Sequence, residues 1–262
     1  MTGRDEYYNR AKQEGYRARS AYKLEQLDET AGLFGPGNVV VDLGAAPGGW
    51  LQVAAEAVGE QGTVIGVDRQ RIEPLSDVPA SVELLRGDVT EAETRGQIVS
   101  VAADAGASDG VDVVVSDMAP NMTGDYDLDH ARSVHLARQA FETATEVLAT
   151  DGDLAVKIFD GRDLDELREE LDAEFEYVRE VRPDASRAAS SELYLVAKSF
   201  LTAPVREGEE LTVEIEDNGD EGDGVASVDG FTLFVPDAEV GDVVTVRVTE
   251  LHARFGFTEI PE

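Results

Sequence analysis

One lysine stands inside an apolar run of the sequence, where a charged side chain is costly. Lys157 lies in the stretch DLAVKIFDG, residues 153–161, whose apolar residues predict a buried β-strand. The chain has only four lysines, Lys12, Lys23, Lys157 and Lys198. An amine carried to the edge of a sheet could accept a proton or hold an anion. A lysine on an edge strand that extends to solvent is the alternative.

A glycine-rich turn and three aspartates follow other predicted strands. The turn DLGAAPGGW occupies residues 42–50, and Asp68, Asp88 and Asp117 each close a later apolar run. Strand-end carboxylates can accept hydrogen bonds from a ribose or an adenine amino group, although each could singly be a helix cap. The three together favour a nucleoside ligand. The glycine spacing departs from G-x-G-x-x-G and there is no Walker lysine, which disfavours a nicotinamide oxidoreductase or a nucleoside triphosphate site.

The elements that must position these groups alternate along the chain between residues 38 and 198. Seven strand-like apolar runs are interspersed with helical segments, which is typical of a mostly parallel sheet with helices on both faces. Ligands bind such sheets at the carboxyl ends of the strands. We therefore expect an α/β domain over residues 1–200.

The pattern changes after Phe200. Residues 203–262 hold five short alternating strands separated by Gly and Asp turns, without helical spacing. This pattern predicts a second domain, a small OB-like β-barrel.

The whole chain is strongly acidic. Its 262 residues include 55 Asp and Glu against 22 Lys and Arg, a formal net charge of -33. Salt at about 1 M screens charge within roughly 3 Å, so this composition indicates a halophilic protein. The absence of cysteine and the spacing of the three histidines favour no metal site. Without a signal-peptide pattern or a long apolar segment, we expect a soluble, cytoplasmic protein with no membrane partner.

Three motifs in order resemble the FtsJ/RrmJ (RlmE-type) family of S-adenosylmethionine-dependent RNA ribose 2'-O-methyltransferases. They are DLGAAPGGW, SDMAPN at residues 116–121 and VKIFDG at residues 156–161. The resemblance implies a Rossmann-like methyltransferase sheet of seven strands, the last antiparallel, and S-adenosylmethionine as cofactor. The implied cofactor contacts are to the methionine moiety at Gly48 and Trp50, to the ribose at Asp68, to the adenine at Asp88, and near the sulfonium at Asp117.

The family's catalytic residues Lys-Asp-Lys-Glu correspond to Lys23, Asp117, Lys157 and Glu192. Methyl transfer to a ribose hydroxyl requires that the hydroxyl be held in line and lose its proton. A lysine amine can take that proton only after losing its own, which burial beside a second cation favours. We expect Lys157 to accept the proton and Asp117 to orient it. Lys23 would stabilise the developing alkoxide, and Glu192 would position Lys23 or the substrate.

Other features suggest an RNA partner. Residues 1–23 carry six basic and three acidic side chains, and Arg17 and Arg19 could contact phosphates unless they are ordinary surface arginines. The loop at 121–130, with Asn121 and Tyr126, is expected to close over the substrate.

The tail resembles a TRAM domain, a small β-barrel attached to RNA-modifying enzymes. With 16 acidic and three basic residues, it would hold RNA by stacking and hydrogen bonds rather than by charge. Its phenylalanines, at positions 231, 234, 255 and 257, either stack on bases or pack in the core.

The function expected from these features is methyl transfer from S-adenosylmethionine to the ribose 2'-hydroxyl of a uridine in large-subunit (23S) ribosomal RNA. The partner would be ribosomal RNA or the large ribosomal subunit. Ribose methylation in the anticodon loop of tRNA is a close alternative. A non-enzymatic RNA-binding ribosome-assembly factor is another, but such a protein would not need Lys157.

Overall fold

A computed structural model describes residues 3–187, 190–219 and 222–261 of the chain. The helices in these ranges are α1 (Gly3–Glu14), α2 (Ala21–Ala31), α3 (Gly49–Val58), α4 (Ala92–Asp104), α5 (Tyr126–Val147) and α6 (Leu164–Asp172). The strands up to Phe200 are β1 (Val39–Leu43), β2 (Thr63–Asp68), β3 (Ser81–Arg86), β4 (Val111–Ser116), β5 (Leu148–Phe159), β6 (Phe175–Val181) and β7 (Glu192–Phe200). The later strands are β8 (Glu210–Glu214), β9 (Asp217–Asn218), β10 (Gly224–Val228), β11 (Phe231–Val235), β12 (Val243–Leu251) and β13 (Phe255–Glu259).

The first seven described strands form one sheet in the order β3-β2-β1-β4-β5-β7-β6. Strand β7 is antiparallel to both of its neighbours, and the other pairs are parallel. The predicted α/β fold with an antiparallel last strand is therefore confirmed. All five residues of β1 are buried because apolar clusters cover both faces of the sheet. The strand order reverses between β1 and β4, which is where a crevice for a ligand opens in such folds.

Helix α4 has little amphipathic pattern in its sequence. Three of its thirteen residues are buried, Thr94, Ile98 and Ala102. A helix that covers so little of the core shows a weak apolar periodicity, which explains why its sequence gives no clear signal.

The described strands after Phe200 form a second, curled sheet in the order β8-β12-β13-β11-β10-β9. The five expected strands are present, and the two-residue β9 is an addition. The sheet curls so that its ends approach, since the N–H of Glu216, just beyond β8, donates to the carbonyl of Val225 on β10 at 2.8 Å. Apolar side chains such as Leu233, Val235 and Val246 fill its interior. The predicted β-barrel class is confirmed.

The second sheet contacts the first at the start of β6. The Ala253 N–H donates to the Glu176 carboxylate at 2.7 Å, and His252 Nδ1 lies 3.3 Å from the same carboxylate. In the described part of the chain no helix combines the length and apolarity needed to cross a bilayer. Nor do those residues place three or more His, Asp or Glu side chains where they could hold a metal ion.

Candidate active site

Asp117 and Lys157 meet at the carboxyl edge of the first sheet. Asp117 directly follows β4, and Lys157 lies near the end of the adjacent strand β5. The Lys157 Nζ donates to Asp117 Oδ1 at 2.8 Å and also to the Asp117 backbone carbonyl. Two hydrogen bonds to one residue fix the direction of the amine. Lys157 is 6% exposed, so it is not a lysine that extends to solvent.

Lys23 and Glu192 complete the predicted set. Lys23 lies in the first turn of α2, and its Nζ is 2.7 Å from Glu192 Oε1 and 3.8 Å from Asp117 Oδ1. All four predicted catalytic side chains therefore form one continuous chain of contacts. A cation in the first turn of a helix is disfavoured by the helix dipole, which the neighbouring carboxylates offset.

Tyr194 also belongs to this cluster, although the sequence-based set omits it. Its hydroxyl donates to Asp117 Oδ1 at 2.7 Å, and it lies directly opposite Lys157 in the pairing of β5 with β7. Burial raises the pKa of Tyr194 well above its ordinary value, and repulsion by Asp117 and Glu192 adds to this. The hydroxyl is therefore a permanent donor. The signal for it was the two-residue period of a strand, which puts Tyr194 on the same face as Glu192.

The pKa of Asp117 reflects opposing influences. Burial alone would raise it, but attraction to Lys157 and Lys23 and the hydrogen bonds from Lys157 and Tyr194 outweigh the burial. The pKa of Asp117 is therefore below its usual range, and the carboxylate stays ionised at neutral pH. It can hold both lysines in place at once.

A cavity of about 610 Å³ lies beside this cluster, a size typical of small-molecule sites. Asp68, Asp88 and Asp117 all contribute to its lining. The Asp68 carboxylate is oriented by the N–H groups of Ala46 at 3.0 Å and Gln70 at 2.7 Å. Hydrogen bonds from Thr90 hold the Asp88 carboxylate and lower its pKa. Strand-end aspartates that the sequence predicted for a nucleoside thus face one cavity.

The glycine-rich turn forms part of the same cavity. Gly44 has φ of +82°, and a Cβ at this position would come 2.5 Å from Met118 Cγ, so only glycine fits.

Gly48 and Trp50 do not line the cavity. Trp50 is 3% exposed; its indole N–H donates to the Ser20 carbonyl at 2.8 Å, and its ring lies 5.8 Å from that of Tyr194. The tryptophan side chain therefore packs against Tyr194 and supports the cluster formed by Lys157, Asp117, Lys23 and Glu192.

Asp42 is a buried acid that the sequence-based set does not include. It is 1% exposed, and its Oδ2 has no hydrogen-bond partner among the described residues. Burial, reinforced by repulsion from Asp117 and Asp68, raises its pKa well above the usual value. An acidic residue in the apolar strand VVVDL is the same kind of signal that drew attention to Lys157. The buried Asp42 carboxyl group therefore lies close to Asp68 and Asp117, which line the cavity.

A second cavity, of about 550 Å³, opens on the other side of the cluster. Its polar wall contains Lys23, Lys157 and Glu192, and Ala119 is the residue that it shares with the first cavity. Asp117 lines the first cavity and holds Lys157, which lines the second. Two ligands bound in the two cavities would therefore meet at this ion pair.

The two arginines expected to contact phosphates have internal partners. The Arg17 guanidinium donates to the backbone carbonyls of Pro47, Glu73 and Pro74. Arg19 donates to the Ala185 carbonyl at 2.6 Å. Both side chains are partly buried and tie loops together, so the structure gives them a role in shaping the site that their position in a basic segment did not indicate.

The tail contains an aromatic cluster, defined here as Phe234, His252, Phe255 and Phe257. The centroids of its neighbouring rings are 4.7 to 5.9 Å apart, and Phe257 is 39% exposed. Phe231 is 7% exposed and packs in the core. The structure thus separates the phenylalanines into one core residue and three on a partly exposed surface.

Comparison with known proteins agrees with this architecture. A family model described as FtsJ-like methyltransferase matches residues 16–200. The chain belongs to the FtsJ-like methyltransferase family. A TRAM domain matches residues 204–260, so this family member combines a methyltransferase fold with a domain found in RNA-binding proteins.

Individual relatives extend over the whole chain. It is 63% identical over 260 residues to the ribosomal RNA large subunit methyltransferase E of Haloarcula marismortui, covering 99% of both chains. The protein of the same name from Natronomonas pharaonis is also 63% identical, over the full length of both. The acidic composition of this FtsJ-like protein fits its haloarchaeal relatives. A crystal structure of a proposed ribosomal RNA methyltransferase from Plasmodium falciparum has a TM-score of 0.61 and 25% identity, covering 71% of this chain and 98% of that one.

Proposed function

We propose that the protein transfers a methyl group from S-adenosylmethionine to the ribose 2'-hydroxyl of a uridine in large-subunit (23S) ribosomal RNA. The observation that carries the proposal is the Lys157 amine, held by Asp117 between two cavities. The relatives named for ribosomal RNA large subunit methylation support the substrate. Family membership supports the reaction.

The residues of the first cavity fit S-adenosylmethionine. The orphaned oxygen of Asp42 is a buried polar atom close to Asp68 and Asp117 of the cavity lining, and Gly44 keeps the turn close to Met118. We assign the ribose to Asp68 and the adenine to Asp88. When bound, the cofactor supplies a methyl group on a sulfonium, whose positive charge Asp117 would face.

Gly48 and Trp50 would contribute through their backbone. Gly48 caps α3, and the first N–H groups of a helix have no intrahelical partners. A carboxylate such as that of the methionine moiety is a suitable acceptor for them. The Trp50 indole is not available for this contact because it is committed to Ser20.

The amine of Lys157 is arranged to accept the proton of the 2'-hydroxyl. Two of its hydrogen bonds go to Asp117, so a neutral amine would direct its lone pair away from that residue, and the second cavity lies on its open side. As the hydroxyl proton moves to Lys157 Nζ, negative charge grows on the ribose oxygen. The Lys23 ammonium, which Glu192 holds at 2.7 Å, is placed to stabilise that charge.

The aromatic cluster of the TRAM domain would hold a more distant part of the RNA. Glu176 contacts this domain, whereas Val181, at the other end of β6, pairs with Tyr194. Along the strand, Glu176 and Val181 are therefore roughly 17 Å apart. RNA that touches both sites must extend along this edge of the sheet, and stacking is sequence-tolerant and persists at high salt better than phosphate contacts do.

The test is to incubate the protein with labelled S-adenosylmethionine in molar KCl, together with large ribosomal subunits or tRNA that lack the modification. We expect label on the ribose of a uridine in the large-subunit RNA. Label on tRNA alone would show that the substrate is tRNA rather than ribosomal RNA. Label on neither RNA would refute the proposed enzymatic activity. The variant Lys157→Met should transfer methyl groups about 10²- to 10⁴-fold more slowly and still bind the cofactor. The exposed Lys12 provides the control variant Lys12→Met.

A further inference from the structure

The second cavity has an aromatic side as well as a polar one. Besides Lys23, Lys157 and Glu192, its lining includes the aromatic residues Tyr126 and Phe159 and the apolar Met122. A cavity of about 550 Å³ lies within the range that holds small organic ligands. Its combination of charged and aromatic groups suits a ligand with one polar and one flat, aromatic part.

Tyr126 is exposed but held in place. It is 59% exposed, yet its hydroxyl donates to the Asp160 carbonyl at 2.6 Å. On its other side the ring is nearly parallel to that of His130, with 10° between the planes and 6.5 Å between the centroids. An aromatic ring fixed in this way loses little further conformational entropy when a ligand stacks on it.

His130 is fixed in turn by the segment that follows β5. Its Nδ1 lies 3.0 Å from the Phe159 carbonyl, and its Nε2 lies 3.2 Å from the Asp163 N–H. The Oδ2 of Asp163 also lies 3.2 Å from Nε2. Both nitrogens are used, and the ring cannot turn without losing hydrogen bonds in a buried environment.

The motif VKIFDG explains how His130 comes so close to this segment. A Cβ on Gly161 would lie 2.4 Å from His130 Nδ1, so the final glycine of the motif makes room for the imidazole. The loop before α5 is also held: the Asp129 carboxylate accepts hydrogen bonds from Thr123 and from the Gly124 N–H. These contacts fix the position of the aromatic side relative to Lys157.

We propose that Tyr126 is the stacking platform for the base of the nucleotide whose ribose reaches Lys157, and that His130 and Gly161 position it. The inference rests on the proposed function, which it extends to the recognition of the substrate base. Asp160, which anchors Tyr126, is three residues from Lys157, roughly 10 Å along an extended chain. This is the scale of a single nucleoside. The ligand is an unpaired, splayed-out nucleotide, since only unstacked bases present their faces to a protein side chain.

The direct test is photo-cross-linking with large-subunit ribosomal RNA in which 5-iodouridine replaces uridine, followed by mass spectrometry of the linked peptides. The experiment uses the full chain and needs no turnover. We expect a cross-link on Tyr126. Cross-links confined to other residues, such as the phenylalanines of the TRAM domain, would overturn the inference. A cross-link on Tyr126 without methyl transfer would support the base platform while refuting the proposed function.

Kinetics provide an independent measurement. The variant Tyr126→Leu should lower kcat/KM for RNA by roughly 10- to 100-fold, the range expected for one stacked base. Tyr126→Phe keeps the ring but loses the hydrogen bond to the Asp160 carbonyl, and it should lower kcat/KM for RNA by about 2- to 10-fold. Cofactor affinity should not change in either variant because Tyr126 does not line the first cavity. Val99, 48% exposed on α4 and outside both cavities, supplies the control Val99→Ala. Equal kcat/KM values for Tyr126→Leu and this control would contradict the inference.

Gly161→Ala tests the positioning role. The added methyl group should displace His130 and lower kcat/KM for RNA as Tyr126→Leu does, with little further loss when the two changes are combined. Additive losses in the double variant would show that Gly161 acts elsewhere, and a melting curve would identify any folding defect.

Discussion

The Lys23 ammonium and the Glu192 carboxylate lie 2.7 Å apart, with their side chains only 11% and 12% exposed. Breaking a buried ion pair leaves an uncompensated charge. We expect Glu192→Ala to lower the free energy of unfolding by about 2–4 kcal/mol, because Asp117 at 3.8 Å compensates Lys23 only in part. Denaturant unfolding in molar KCl measures the change.

The Arg95–Glu146 pair is the matched control because its contact distance is also 2.7 Å while Glu146 is 52% exposed. Glu146→Ala should cost about 0–1 kcal/mol. Equal losses at the two sites would mean that Lys23 is solvated well enough not to need Glu192.

Asp42 should make the stability of the cofactor-free protein depend on pH. Because its pKa is raised in the folded protein, the folded state retains a proton that the unfolded state releases above about pH 4. Its contribution to the free energy of unfolding therefore falls as pH rises toward the folded pKa. Asp42→Asn removes this loss. The melting temperature of the variant should therefore increase relative to that of the wild type as the pH rises. A constant difference at every pH would contradict the expectation.

Tyr194 should help to keep Asp117 ionised. Its hydroxyl donates to Asp117 Oδ1, a hydrogen bond that favours the charged carboxylate. In Tyr194→Phe we expect the pKa of Asp117 to rise, so that the carboxylate and its pairing with Lys157 are lost at a higher pH during acidification. The carbon-13 shift of the Asp117 carboxyl reports this directly, with the signal assigned from the spectrum of Asp117→Asn. An unchanged titration would mean that the two lysines alone determine the ionisation.

The two kinds of phenylalanine in the TRAM domain should behave differently. Phe257 is 39% exposed within the aromatic cluster, and Phe231 is 7% exposed in the core. Phe257→Ala should weaken RNA binding by about 1–3 kcal/mol with little loss of stability. Phe231→Ala should instead destabilise the protein by about 3–5 kcal/mol. RNA affinity by filter binding and melting curves, both in molar KCl, separate the effects; unchanged affinity for the Phe257 variant would refute stacking on this surface.

The sequence predicted which strand ends form the site better than it predicted the side-chain contacts within the site. Strand ends are visible as apolar runs closed by Asp68, Asp88 or Asp117, because a parallel sheet brings its carboxyl ends to one edge. Tyr194 gave a weaker sign. The two-residue period of β7 places it on the same face as Glu192, but a tyrosine in an apolar strand cannot be distinguished from a core residue until its partner is known. Contacts across the fold decide such roles, and a linear pattern does not contain them.

Arg17 and Arg19 show the same limit of prediction from sequence. The basic segment at the N-terminus suggested phosphate contacts at Arg17 and Arg19, but the Arg17 guanidinium donates to backbone carbonyls of distant loops. Arg19 donates to the Ala185 carbonyl and also lines the second cavity, so its contact with a phosphate stays a prediction. Charge can be counted in a sequence, but whether an arginine faces solvent or ties loops together depends on which carbonyls lack other donors nearby.

Ala119 is the residue common to the two cavities, and the Asp117–Lys157 pair stands between them. The architecture therefore imposes no order of arrival: neither ligand has to pass through the other's compartment. Under the proposed function, a spent cofactor could be exchanged for a fresh one while the protein remains seated on its RNA. The enzyme would then follow a random rather than an ordered kinetic scheme.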